Sequence, residues 1–90
     1  MQRIACSGHD TVAETWHDPM FFNNQGEALR TFQDAVNKPG TSFNTHASDY
    51  VMYQVGQYDE ETGTLTGETP QVIAHAANLK HQEITNETQR

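Results

Sequence analysis

The sequence predicts an α+β domain: a small antiparallel sheet of about four strands, with one main helix (residues 24–37) packed on one face. Three observations carry this expectation. Ala28, Leu29, Phe32, Ala35 and Val36 recur at the i, i+3, i+4 spacing of a single apolar helical stripe. β-branched and aromatic side chains crowd residues 50–58 at the density of a strand. Clusters of Asn, Asp, Pro and Gly at 37–40 and 59–63 punctuate the chain on either side.

The elements follow in order. Arg3, Ile4, Ala5 and Cys6 read as a short strand, and Ser7, Gly8, His9 and Asp10 supply turn residues. Residues 11–16 then read as the second arm of a hairpin, ended by Asp18 and Pro19. Met20, Phe21 and Phe22 form an apolar knot before the helix. Asn24 is a suitable N-cap, and Glu27 three residues on can complete a capping box. Glu27, Arg30 and Asp34 occupy the opposite side of the helix, and residues 37–40 stop it. Residues 40–48 read as loop, with Phe43 their one large apolar side chain. The strand at 50–58 turns through the acidic segment 59–63, where Gly63 suits a left-handed position, into a return strand at 64–68. Two readings fit the next segment equally. Thr69 and Pro70 cap a helix, or residues 71–73 stay extended before a single helical turn. One domain over residues 1–79 and a polar, frayed tail over 80–90 complete the reading.

Ninety residues bury only roughly 60–65% of the unfolded surface, so a chain of this size benefits from reinforcement. Cys6 is its single cysteine, which excludes an internal disulfide and suits a reducing cytoplasm. A second copy is the expected reinforcement. In strict alternation, Val51, Tyr53 and Val55 share one face of their strand, and Tyr50, Met52 and Tyr58 share the other. Both faces are apolar and one helix covers only one of them. A homodimer with Tyr50, Met52 and Tyr58 at its interface answers this, and a half-exposed sheet face answers it as well.

The chain carries five Lys and Arg against twelve Asp and Glu, a net charge of −7. Arg3, Arg30 and Lys38 are the cations of residues 3–79, so charge disfavours a protein that coats nucleic acid through phosphate contacts. Neither a leader peptide nor a membrane span is expected. Histidines 9, 17, 46, 75 and 81 lack the paired spacing of a structural metal site, and Cys6 reads as a buried strand residue. Asp59, Glu60 and Glu61 do not follow a calcium-loop pattern and read as a solvated hairpin tip. The aromatic side chains read as core or interface, since base-stacking platforms usually add a cationic groove. The sequence therefore predicts no catalytic residue, no metal and no cofactor.

The run from Asp18 to Asn24, with Pro19, Phe21 and Phe22, leads into Glu27, Ala28, Arg30, Phe32, Asp34, Ala35 and Asn37. Phe43, the stretch His46, Ala47, Asp49, Tyr50, and then Gly56, Asp59, Thr62 and Gly63 follow in order. This succession resembles the small nonstructural protein of gokushovirus-type microviruses, bacteriophages with single-stranded DNA genomes, over about residues 3–79. The resemblance implies a protein of the host cytoplasm, absent from the virion, that assists genome replication. It supplies no catalytic residues. The resulting expectation is a non-enzymatic accessory factor in viral single-stranded DNA replication. It would act through the viral replication protein, through host replication proteins, or by weak binding of single-stranded DNA. Arg30, Lys38, Phe43 and Tyr50 are the expected nucleic-acid contacts. The alternative is an acidic module that binds and inhibits a host protein.

Overall fold

The computed structural model describes residues 2–81. Strand β1 (Gln2–Asp10) is longer than expected because Ser7 and Gly8 stay in the ladder, opposite Tyr53 and Met52. The Ser7 hydroxyl donates to the His17 carbonyl at 2.6 Å, which satisfies it inside the sheet. The turn falls instead on residues 11–14. There the Asp10 carboxylate accepts from the backbone N–H groups of Val12 and Ala13, each at 3.0 Å. Glu14 takes the left-handed conformation that reverses the chain (φ 58°). Of the arm expected at 11–16, only β2 (Thr15–Trp16) pairs with β1. The apolar knot is itself a strand, β3 (Met20–Phe22), beside β2 on the same edge of β1. The sheet therefore has five antiparallel strands, in the order β2-β1-β4-β5 with β3 also on β1.

Helix α1 (Gln25–Val36) begins at Asn24, whose side-chain oxygen accepts from the Glu27 N–H at 2.9 Å. Glu27 reaches back to the N–H of Asn23, one residue before the cap (3.0 Å). Ala28, Phe32 and Val36 are buried against Cys6, Phe22, Tyr50 and Met52, while Leu29 lies at the exposed margin of the stripe. The segment expected to be loop holds one helical turn, α2 (Ser42–Thr45), and a 3-10 turn (Ala47–Asp49). Phe43 wedges between them and α1, edge-on to Phe32 and Tyr50. The last described helix, α3 (Ala76–Leu79), is tied to the end of α1. Asn37 Nδ2 donates to the carbonyls of Gln33 (2.9 Å) and Leu79 (3.0 Å), and Lys80 Nζ donates to the Asn44 carbonyl (2.9 Å). Residues 82–90 of the expected tail lie outside the described residues.

Strands β4 (Tyr50–Asp59) and β5 (Thr64–His75) form a long hairpin, with Gly63 at φ 72° in its turn. Of the two readings for residues 69–79, the extended one with a following helical turn is found. The ladder is broken where Val55 is an extra residue on β4 and residues 68–70 loop out of β5. One extra residue reverses which face the later side chains take. Tyr50, Met52 and Gln54 point toward α1, opposite Asp10, Gly8 and Cys6 of β1. Beyond the bulge, Gly56 and Tyr58 join Val51 and Tyr53 on the far side, opposite Ala5 and Arg3. This corrects the grouping of Tyr58 with Tyr50 and Met52.

Candidate functional site

The sheet face away from α1 has no element across it among the described residues, and the pairing register places its side chains. On β1 it carries Arg3, Ala5, Ser7 and His9, and the flanking strands add Trp16, Phe21, Tyr53 and Tyr58. Strand β5 contributes Leu65, Val72 and His75. Its aromatic side chains form two groups. In the first, Trp16 lies 4.3 Å from the His9 ring at an interplanar angle of 30°, and 5.0 Å from the Tyr53 ring. In the second, Phe21 and Tyr58 are 5.5 Å apart. Trp16 remains 47% exposed and Phe21 39%, with Leu65 and Val72 more open still. Between the two groups the floor is small. Ala5 and Ser7 are each only 2% exposed, although neither belongs to the core cluster under α1.

Charge is unevenly divided across the sheet. None of the strand side chains placed on this face is Asp or Glu. Asp10, Asp59 and Glu68 fall on the α1 side, and Glu27 and Asp34 lie on α1 itself. At one rim Arg3 Nε sits 3.4 Å from a Glu60 carboxylate oxygen, half exposed, and that nitrogen has no hydrogen-bond partner. A chain of net charge −7 thus keeps one aromatic surface clear of strand-borne acids.

Two clefts lie on the helix side. One of about 320 Å³ runs between α1 and the β2–β3 connection, with Gly8, Phe32, Phe43 and Met52 as its apolar wall and His17 and Asp18 beside it. The other, of about 310 Å³, is polar and lined by Gln57, Thr64, Thr66 and Glu68 beyond the helix. Glu68 accepts from Gln54 Nε2 (3.0 Å) and Gln57 Nε2 (2.8 Å), and Gln25 donates to Gln54 (2.9 Å). This network satisfies the buried Gln54 and engages the Gln57 amide in that cleft.

The expected contact residues do not converge on one surface. Arg30 and Lys38 are exposed on and just after α1. Phe43 is half-buried, and Tyr50, with 7% exposure, packs against it at 4.7 Å inside the core. Met52 is also buried under α1, so Tyr50 and Met52 are not on the open face, whereas Tyr58 is. Cys6 is fully buried, and burial pushes its thiol up to about 11. No group of three or more His, Cys, Asp or Glu among the described residues is placed to hold a metal ion. The aromatic side chains of the open face were visible in the sequence, but their grouping was not. The available signal was Gly56, a lone glycine inside a strand pattern, which commonly marks a bulge.

Among the described residues no helix is long and apolar enough to cross a membrane. Neither the curated proteins nor the solved structures contain a match to the chain. The family model for the Phage ORF5 protein does match, over residues 4–79, and by that match the chain belongs to this family of bacteriophage proteins.

Proposed function

We propose that this chain is a non-enzymatic accessory factor in the replication of a single-stranded DNA phage of the microvirus type. It works in the host cytoplasm by binding, and the open sheet face is its working surface. One observation carries the reading: a strongly acidic protein presents a broad aromatic face on which no strand contributes an acid. Exposed apolar area of that kind marks a contact surface more often than a bare one. The test is a phage whose gene carries Trp16→Ala and Tyr53→Ala. Strand-specific hybridisation should show single-stranded progeny DNA falling several-fold, with duplex replicative DNA maintained. Unchanged single-stranded yield refutes the role.

A second reading has its own support in the exposed Asp34 of α1 and the exposed Glu60 and Glu61 of the hairpin tip, which suit a basic patch on a host protein. It predicts a stoichiometric host partner whose capture is lost when Glu27 and Asp34 are changed to Gln and Asn.

A further inference from the structure

We infer that the open face is a single-stranded DNA platform on which bases stack at two separate aromatic stations, with stacking rather than phosphate contact supplying most of the affinity. The inference rests on the reading above for the identity of the strand. The stations, their spacing and the energetic signature come from the geometry.

The first station is Trp16 with His9 and Tyr53, and the second is Phe21 with Tyr58. Trp16 sits opposite His9 and Phe21 opposite Ala5, so four residues of β1 separate them. At about 3.3 Å per residue this is about 13 Å, roughly four times the 3.4 Å rise of stacked bases. Bases held at the two stations are therefore several nucleotides apart, and the strand between them would pass over the covered Ala5 and Ser7. Aromatic faces accept any base, so little sequence preference follows.

The make-up of the face suits this ligand and sets the salt response. The facing strand side chains offer Arg3, His9 and His75 and no carboxylate, a pattern suited to a polyanion that still has apolar faces. Arg3 is the one Lys or Arg among those strand positions, and a phosphate at its guanidinium would compete with Glu60. With about one phosphate neutralised, log affinity should fall against log salt with a slope of roughly −0.7. A cationic groove making several such contacts would give a slope several times steeper.

The experiment uses the full chain and a labelled oligothymidylate of twelve nucleotides, followed by anisotropy at several salt concentrations, with sedimentation of the free protein alongside. Trp16 is the chain's only tryptophan, so its own emission gives a second readout. Expected are saturable binding, quenching of Trp16, a shallow salt slope, and loss of binding for oligomers shorter than about five nucleotides. Trp16→Ala and Phe21→Ala should each weaken binding roughly five- to hundred-fold, and Leu29→Ala on the helix side should leave it unchanged. Val72→Glu puts a carboxylate at a 53% exposed position opposite Tyr53 without touching the core, and should weaken binding even if an aromatic variant fails to fold. Absence of binding and of quenching at low salt overturns the inference. So does a slope of several units that survives Trp16→Ala, a preference for RNA of the same length, or a dimer that Trp16→Ala dissociates. In any of these cases a defective Trp16/Tyr53 phage would still support the accessory role, with a different occupant on the face.

Discussion

Gly56 and Gly67 face each other across β4 and β5, and the structure separates them sharply. A Cβ built on Gly56 lies 2.5 Å from the Thr66 carbonyl oxygen and 3.4 Å from the Gly67 Cα. Both neighbours are backbone, so relief requires the hairpin itself to move. A Cβ on Gly67 meets nothing within 4 Å. Overpacking of this kind costs about 1–3 kcal/mol, and the reduced freedom of the unfolded chain returns about 0.4–1 kcal/mol. Gly56→Ala is therefore expected to lose about 1–2 kcal/mol, and Gly67→Ala to be neutral or slightly stabilising. Urea unfolding followed by circular dichroism measures both. With a slope of about 1 kcal/mol per molar for a small domain, the Gly56→Ala midpoint should drop by roughly 1–2 M. Thermal midpoints should fall by roughly 4–16 °C. Equal stability of the two variants, or a gain for Gly56→Ala, would refute the account of the bulge as a close backbone approach.

Two further outcomes follow from the core and the helix start. Cys6 should resist thiol reagents in the native protein at pH 8 and react at once on unfolding. Its thiol titrates near 11 in the fold, above its ordinary 9.0, so the unfolded chain ionises first and stability should decline between about pH 9 and 11. Cys6→Ala should flatten that decline relative to wild type, and identical pH profiles would contradict it. Asn24→Ala removes the acceptor for the Glu27 N–H and should cost about 1 kcal/mol in the same urea assay.

The helix was legible because Asn24, the Ala28–Phe32–Val36 stripe and the 37–40 stop all act within one turn of their own position. What escaped depends on long-range pairing. Ser7 and Gly8 look like turn residues, yet β4 on one side and the His17 carbonyl on the other hold them in the sheet. Pro70 suggested a helix start, but β5 accommodates it in a loop-out opposite Val55 and continues to His75. The site suffered most, because alternation along β4 is a reliable guide only until the bulge. Tyr50 and Met52 lie before it and are core, whereas Tyr58 lies after it and is on the open face. Arg3 and His9 carried no signal of their own, since their relevance arises from the strands placed beside them.

The loop-out at residues 68–70 bears on how the sheet edge meets other strands. Strand β5 forms one edge of the sheet, twelve residues long with three Thr, the kind of edge on which sheets extend from molecule to molecule. Pro70 removes an N–H from that edge and the loop-out interrupts it midway, so it offers no single straight run of twelve residues. Strand-to-strand growth along this edge is thereby discouraged, and the broad side of the sheet, with its exposed Trp16 and Phe21, is left as the larger apolar surface.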